Sequence, residues 1–170
     1  MTAFVERRRL GFTQRQLFDL VADVERYPEF LPWILATRIL CRTRNMVEME
    51  MLVGYKFLRQ RFRSRGVLDP PHRIDITSED APFRRLRQHW LFEPGVNDGT
   101  IVEFRAEFDF RSRIWQVLLT QYFHDGMSRM VEAFERRAQQ IYGNTGIADS
   151  SALTERGCAP PRGRRSRSGI

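Results

Sequence analysis

The chain has 170 residues and a mass of 20.2 kDa, a length that favours a single domain. Hydrophobic residues make up 42% and aromatic residues 12%, enough apolar material to build a core, so wholesale disorder is excluded. No stretch approaches the ~18–20 consecutive apolar residues that a spanning helix needs. The first residues, MTAFVERRRL, lack the apolar run of a secretory signal, so we expect a cytoplasmic protein.

The chain is basic, with a formal net charge of +7 and a pI near 10.4. Residues 1–142 carry 23 basic and 19 acidic residues, whereas residues 143–170 carry five arginines and two acids. Lys56 is the only lysine, and so one-sided a use of arginine is more typical of genome composition than of selection for phosphate contacts. We therefore expect no specific DNA partner.

The composition changes at Gly143. From there the sequence reads GNTGIADSSALTERGCAPPRGRRSRSGI, rich in Gly, Ser, Pro and Arg and poor in bulky apolar residues. We expect residues 1–142 to form one folded domain and residues 143–170 to form a basic, disordered tail.

In chain order, the first predicted elements are a strand near residues 3–10 and a helix over residues 14–25. Thr13 is placed to cap this helix, because a threonine hydroxyl can accept a hydrogen bond from a free N–H of the first turn. Pro28 is expected to stop the helix. A second strand is predicted over residues 34–44.

The next two segments alternate between apolar and charged residues, as half-buried strands do. The apolar positions of residues 46–54 and 59–68 are Val47, Met49, Met51, Val53, Phe62, Ser64, Gly66 and Leu68. A loop at residues 55–58 predicts the register of this hairpin, with Met51 opposite Phe62 and with the charged pairs Glu50–Arg63 and Glu48–Arg65 outside. We interpret the arginine row first as a solvated, ion-paired sheet face rather than a nucleic-acid stripe.

Three further strands follow. The turn DPPHR at residues 69–73 would set Leu68 opposite Ile74 and Gly66 opposite Ile76, with Arg63 near Glu79 outside. Residues 83–92 place Leu86, Gln88, Trp90 and Phe92 on one side. After a turn at residues 93–100, residues 101–110 alternate most regularly, with the inward positions Val102, Phe104, Ala106, Phe108 and Phe110.

Residues 112–142 contain no proline and repeat apolar residues at helical spacing, among them Leu118, Tyr122 and Met130. A seven-stranded sheet needs a large element to cover its apolar face, and this helix meets that need. The predicted fold is therefore α+β: a curved, seven-stranded antiparallel sheet around a long C-terminal helix, with one or two short helices after the first strand.

Three motifs carry a resemblance to a known family: D-V-x-x-Y-P-x-F-L-P-W at residues 23–33, G-Y-K at residues 54–56 and F-x-S at residues 62–64. With the closing helix MVEAFERRAQQIYG, they resemble the START-like helix-grip superfamily over about residues 3–143. The sequence is more similar to the coenzyme Q-binding, polyketide cyclase/dehydrase-like branch, which includes the ribosome association toxin A (RatA) proteins.

The resemblance implies an apolar cavity between sheet and helix that holds ubiquinone or a related polyprenyl lipid without transforming it. Ubiquinone would be a bound ligand in support of respiration, and no redox cofactor is expected. Two alternatives stay open: a RatA-type inhibitor of ribosomal subunit association, with the ribosome as partner, and a polyketide cyclase-like enzyme. Fold alone does not choose among them.

The residues themselves suggest a lining for such a cavity, with ordinary core packing as the alternative for each. The apolar candidates are Met49, Met51, Phe62, Trp90, Phe104, Phe108, Leu118, Tyr122 and Met130. Ser64 and Gln88 complete the set, because small residues such as Ser64 and Gly66 leave room and an amide can donate to a quinone carbonyl. Methionine side chains also adapt to variable ligand shapes.

Residues 27–33 concentrate apolar surface in Tyr27, Phe30, Leu31 and Trp33, while Pro28 and Pro32 hold the segment out of a regular helix. We interpret it as a portal loop that touches a bilayer, which would place the protein at the periphery of the inner membrane. A buried plug that seals the end of the sheet is the alternative.

The sequence lacks G-x-G-x-x-G, P-loop and G-x-S-x-G motifs, which argues against kinase, dehydrogenase and hydrolase functions. His72, His89 and His124 have no metal-ligand spacing, so no metal site is expected. The inward polar residues are neutral: Ser64, Ser78, Gln88 and Tyr122. No catalytic residue is assigned, and we expect a protein that is not an enzyme.

Overall fold

The computed structural model describes residues 2–143, and for residues 55, 118, 119, 122 and 123 it describes the backbone alone. The elements within this range are β1 (Thr2–Leu10), α1 (Gln14–Ala22), a 3₁₀ helix (Val24–Glu29), β2 (Ile34–Arg42), β3 (Met46–Tyr55), β4 (Leu58–Asp69), β5 (Arg73–Ser78), β6 (Phe83–Pro94), β7 (Thr100–Phe110) and α2 (Arg113–Tyr142). The strands form one antiparallel sheet in the order β1-β7-β6-β5-β4-β3-β2. This is the predicted fold. The predicted tail lies outside the described residues from residue 144 onward.

The first helix begins where the sequence predicts. The Thr13 hydroxyl accepts a hydrogen bond from the Gln16 N–H at 3.2 Å, and the Gln16 side chain accepts one from the Thr13 N–H at 3.0 Å. The predicted end at residue 25 was wrong. α1 ends at Ala22, because Asp23 leaves the helical conformation with φ −84° and ψ 67°. The chain then tightens into the 3₁₀ helix, which contains Pro28.

The predicted register of the central hairpins is confirmed. Met51 lies opposite Phe62, and the neighbouring charged pairs align as expected, Glu50–Arg63 and Glu48–Arg65. Arg63 and Glu79 lie near each other as predicted, since both line one groove of the outer face. The Arg63 guanidinium also lies 3.7 Å from the Glu50 carboxylate. The β4–β5 ladder ends at the Arg65–Thr77 pair, so Glu79 follows the last paired residues.

Alternation along the strands gives the sheet two distinct faces. The inner face is turned toward α1 and α2, and its fully buried side chains include Val47, Met49, Ile74, Phe92 and Phe104. The outer face carries the arginines and most of the acidic residues of β3–β7. Burying each large apolar side chain stabilises the fold by ~1.5–3 kcal/mol, so the inner face defines the core.

α2 starts at the Ser112 cap, whose hydroxyl accepts from the Ile114 N–H at 3.3 Å. Its second half is packed into the core through Met130, Val131, Phe134 and Ala138. In contrast, Ile114 and Val117 in the first half are each 67% exposed. None of the helices within residues 2–143 has the length and hydropathy of a membrane span.

Candidate functional site

The candidate cavity residues come together on the inner face and on α2. Those on the sheet are buried, namely Met49, Met51, Phe62, Ser64, Trp90, Phe104 and Phe108, and Met130 of α2 is buried as well. Gln88 is half-buried. The side chains of Leu118 and Tyr122 lie outside the described residues, so their predicted roles stay predictions.

Aromatic side chains form two packed groups on the inner face. In one, the Trp90 ring lies 4.4 Å from that of Phe104 and 5.1 Å from that of Phe134. In the other, Phe62 packs edge-on against Phe83 with ring centroids 4.9 Å apart. Pairs of this kind add ~0.5–1.5 kcal/mol beyond the area that they bury. Trp90 and Phe104 are therefore core residues, whatever else they contact.

Gln88 lies between the two aromatic groups. On β6 its inward neighbours are Leu86 and Trp90, which are paired across to Phe108 and Phe104 of β7, while Gln88 itself is opposite Ala106. Leu86 and Trp90 are 2% and 3% exposed, yet Gln88 between them keeps solvent-accessible surface. An inward residue in the middle of a sheet stays accessible only where the covering layer leaves space above it.

Ser64 adds a second polar group on the same face. It is 6% exposed, and its hydroxyl oxygen has no hydrogen-bond partner in the described part of the chain. A buried polar group without a partner costs ~1–3 kcal/mol, so such a group needs an explanation. In contrast, the hydroxyl of Ser78 donates to the Arg63 carbonyl at 2.5 Å and is already satisfied.

On the facing side, α2 carries a glycine. Gly126 lies one turn before Met130 and two turns before Ala133, on the helix face that is buried at those residues. A Cβ atom placed on Gly126 would meet no described atom within 4 Å. Close packing against described atoms therefore does not require a glycine here.

The expectation that Gly66 leaves room for a ligand was wrong. A Cβ atom at Gly66 would lie 2.9 Å from Cγ1 of Val47. The space beside Gly66 is thus filled by the neighbouring strand, and the glycine permits close packing. Ser64 thus remains the small inward residue of interest, because its hydroxyl oxygen has no described hydrogen-bond partner.

The predicted portal segment is partly a plug. Tyr27 and Leu31 are buried at 6% and 1% exposure, and the Tyr27 hydroxyl donates to the Val21 carbonyl at 2.5 Å. Burial raises the pKa of Tyr27 well above its ordinary value, so the hydroxyl stays neutral. Phe30 is half-buried and packs edge-on against Phe134 of α2 at 5.1 Å. Pro32 is exposed and Trp33 half-buried.

An exposed phenylalanine at the tip of the β3–β4 hairpin adds apolar surface next to this segment, and it was not among the predicted site residues. Phe57 is 86% exposed, and the hairpin is joined to the segment because the Gly54 N–H donates to the Trp33 carbonyl at 2.9 Å. The turn has only two residues, Lys56 and Phe57, and Lys56 adopts a positive φ of 54°. A phenylalanine in so tight a turn was the available signal, since turns favour polar residues and glycine.

The outer face centres on one carboxylate, that of Glu50. It accepts hydrogen bonds from Arg61 at 2.8 Å and Arg38 at 3.2 Å, and Arg63 approaches to 3.7 Å. The Arg61 hydrogen bond, helped by these neighbouring charges, holds the pKa of Glu50 below its ordinary value. Three arginines sharing one carboxylate leave this part of the sheet positively charged.

Metal ligation has no support in residues 2–143, where no cluster of three or more His, Cys, Asp or Glu side chains could hold an ion. The His89 ring contacts Asp75, its cross-strand neighbour on the outer face. This pair lies on the opposite side of the sheet from Gln88 and Ser64.

A family model described as polyketide cyclase/dehydrase and lipid transport matches residues 10–135. The chain belongs to this family. The resemblance stated from its motifs is thus confirmed, and the match spans α1, strands β2–β7 and most of α2.

Curated relatives include a toxin and a coenzyme Q-binding protein. The ribosome association toxin RatA of Pseudomonas aeruginosa is 35% identical over 144 residues, which are 84% of this chain and 100% of that protein. The mitochondrial coenzyme Q-binding protein COQ10 homolog B of Xenopus laevis is 30% identical over 153 residues, 88% of this chain and 63% of that protein.

Solved structures support the same fold. The solution structure of an 18 kDa protein from Caulobacter crescentus is 37% identical, with a TM-score of 0.68 and coverage of 84% of this chain and 99% of that one. A START superfamily protein from Mycobacterium smegmatis gives a TM-score of 0.70 at 15% identity, covering 81% and 97% of the two chains. At that identity the likeness shows the fold alone.

Proposed function

We propose that this protein binds ubiquinone or a related polyprenyl lipid between the inner face of the sheet and α2, in support of quinone function in respiration. The observation that carries the proposal is the half-buried Gln88, which keeps solvent-accessible surface in the middle of an otherwise buried apolar face. Its NH₂ group can donate to one quinone carbonyl. The unpartnered Ser64 hydroxyl can donate to the ligand from β4, two strands away from Gln88 on β6.

The apolar surroundings supply the affinity. Each buried methylene group contributes ~0.8 kcal/mol, so a few isoprene units offset the cost of association. Pockets of ~300–1,000 Å³ are typical, and a long polyprenyl tail would exceed that volume. Part of the tail would therefore emerge from the domain, toward a membrane or a partner.

The ligand is held and not transformed. The described polar groups that β4–β6 turn inward, Ser64, Ser78 and Gln88, are neutral at physiological pH. Acid–base catalysis needs a group that titrates near the working pH. The protein is accordingly proposed as a carrier without enzymatic activity, and ubiquinone as its ligand and not its cofactor.

The test is to purify the full chain from a quinone-replete host, extract it with organic solvent and identify the lipid by mass spectrometry. We expect quinone in the extract of the wild type and of Gln140→Leu, an exposed glutamine of α2, and less in that of Gln88→Leu. Protein that carries no lipid and ignores added quinone would overturn the proposal.

Delivery to a membrane would use the exposed Phe57 together with the half-buried Trp33, whose carbonyl is bonded to the same hairpin. Aromatic side chains of this kind partition into the bilayer interface. The Trp33→Ser/Phe57→Ser variant should lose binding to liposomes. Val96→Ser, which removes a 76% exposed side chain from the β6–β7 loop, should retain it. Equal binding of the two variants would remove the membrane role.

A second candidate is inhibition of ribosomal subunit association. The name of the Pseudomonas relative supports it, and so does the arginine excess around Glu50 on the outer face. Sucrose-gradient profiles after overexpression test this candidate. A higher ratio of free subunits to whole ribosomes supports it, and an unchanged ratio contradicts it, whatever the lipid extraction shows.

A further inference from the structure

A groove of about 900 Å³ lies on the outer face of β4–β6, across the sheet from Gln88. We call it the basic groove, and its charged lining residues are Arg61, Arg63, Arg65, Arg85, Arg87, Glu50, Glu79 and Asp80. Five arginines against three acids leave it with a net charge of +2.

The groove exists because the sheet ladder opens there. β4 and β5 are paired only up to Arg65 and Thr77. Beyond that pair, side chains replace the ladder: the Arg63 N–H donates to the Asp80 carboxylate at 2.9 Å, and the Arg63 carbonyl accepts from the Ser78 hydroxyl. The short strand β5 thus forms the floor between two longer strands.

The two longer strands carry parallel rows of arginine. Arg61, Arg63 and Arg65 follow one another on β4, and Arg85 and Arg87 on β6, at alternate residues ~6.6 Å apart. The rows are two strand spacings apart, ~9.6 Å, with Thr77 between Arg65 and Arg87. This geometry is that of a trough with positive charge along both edges.

The groove arginines of β4 form ion pairs, whereas those of β6 form none within residues 2–143. Arg61 and Arg63 share Glu50, and Arg65 binds Glu48 at 2.6 Å. Arg85 and Arg87 are both exposed and form no ion pair with the rest of the described chain. Their cross-strand neighbours on β7 are Asp109 and Glu107, but neither carboxylate lies within ion-pair distance of them. The two exposed guanidinium groups can therefore bind an external anion, each holding a phosphate through two hydrogen bonds.

We infer that the basic groove binds the phosphate backbone of single-stranded RNA. A bilayer contact would combine basic residues with exposed apolar ones, whereas the apolar residue that lines the groove, Leu86, is buried at 2%. A protein partner would need an apolar or aromatic anchor site, which the described lining does not offer. The choice of RNA as the polyanion rests on the ribosomal candidate function.

The test is fluorescence anisotropy of a labelled polyuridine oligonucleotide with the full chain, over a series of salt concentrations. Arg85→Gln/Arg87→Gln should weaken binding severalfold and reduce the slope of log K against log salt by about 1.4, since each single-strand phosphate contact contributes ~0.7. Glu79→Gln, which removes an exposed acid from the groove, should tighten binding.

The matched control is Arg129→Gln/Arg136→Gln, which removes the same charge from exposed, unpaired positions on α2. It should leave the slope unchanged. Equal loss in both double variants would assign the binding to net charge and overturn the inference. So would groove-dependent binding to phosphatidylserine vesicles without binding to RNA.

The outcome is separable from the functions proposed above. Groove-dependent RNA binding with unchanged ribosome profiles would uphold the groove and reject the ribosomal candidate. Quinone content should be the same in all these variants, because the substituted side chains of the groove are exposed on the outer face, whereas Gln88 turns inward. Ser64, which also borders the groove, is unchanged in each of them.

Discussion

The guanidinium of Arg137 lies 5.4 Å from the centre of the Phe30 ring. The same group binds the Glu29 carboxylate, and Phe30 packs edge-on against Phe134 of α2. The 3₁₀ helix and the residue after it are therefore held against the C-terminal half of α2 by charge and by aromatic packing.

Loss of this contact should loosen the segment. Arg137→Gln removes the ion pair and a cation–π contact of ~0.5–1 kcal/mol. We expect faster amide hydrogen exchange over residues 24–33, with little change in β6 and β7. The control is Arg136→Gln, an exposed neighbour on the same helix. Identical exchange in the two variants would show that the contact does not hold the segment.

Buried and exposed aromatic residues should contribute very differently to the stability of the fold. Phe104 is 0% exposed and packs against Trp90, so Phe104→Ala should lower the free energy of unfolding by ~3–5 kcal/mol. Phe57→Ala at the exposed hairpin tip should change it by less than ~0.5 kcal/mol. Urea denaturation measures both. A small cost at Phe104 would mean that the inner face is loosely packed there.

Ser64 should contribute to quinone binding and not to the stability of the fold. Ser64→Ala removes a buried hydroxyl without a described partner, so the free energy of unfolding should stay the same or rise. Quinone affinity should fall about two- to tenfold, the equivalent of one hydrogen bond of ~0.5–1.5 kcal/mol.

Ser78→Ala is the matched control, since the Ser78 hydroxyl is bonded to the Arg63 carbonyl. It should lower stability and leave quinone affinity unchanged, as measured by denaturation and by tryptophan fluorescence titration. The reverse pattern would remove Ser64 from the binding site.

The ion pairs of Glu50 predict that the stability of the folded chain depends on pH. Its pKa is lowered by the Arg61 hydrogen bond and by the charges of Arg38 and Arg63, so the ionised carboxylate stabilises the folded chain. This stabilisation is present above the ordinary value of 4.5 and is lost as the pH falls through the lower folded-state pKa. Glu50→Gln should therefore lower Tm at neutral pH and lose this difference in strong acid.

Thermal unfolding of Glu50→Gln and of wild type across this pH range measures the effect. Glu48→Gln removes a carboxylate that binds one arginine, Arg65, within residues 2–143 and should show a smaller difference at neutral pH. Tm curves of Glu50→Gln and wild type that run parallel into acid would contradict the assignment.

Much of the fold could be predicted because two patterns agreed. Apolar alternation and charge pairing gave the same β3–β4 register, and a shift by one residue would have turned Met51 outward. The early end of α1 could not be predicted, since it depends on the backbone of Asp23 and on burial of Tyr27 by distant residues. β2 carries two register shifts that no local pattern signals.

The candidate site was less predictable. Alternation placed Ser64, Gly66 and Gln88 inward, but it could not show which would be filled by neighbours. Val47 occupies the space beside Gly66, whereas Gln88 remains accessible. The basic groove depends on where the β4–β5 ladder ends, which is a tertiary feature. The arginine row is partly ion-paired as predicted, yet Arg85 and Arg87 on β6 are not part of that pairing.

The most direct test of the lipid site uses the methionine methyl groups as probes. Met49, Met51 and Met130 are buried at the inner face, whereas Met46 lies at the start of β3 on the alternate, outward side, opposite Val67. With ¹³C-methyl methionine, titration with a short-chain ubiquinone should shift the resonances of Met49, Met51 and Met130 in a saturable way and leave Met46 unchanged. Resonances that do not move, or a shift confined to Met46, would contradict quinone binding between the sheet and α2.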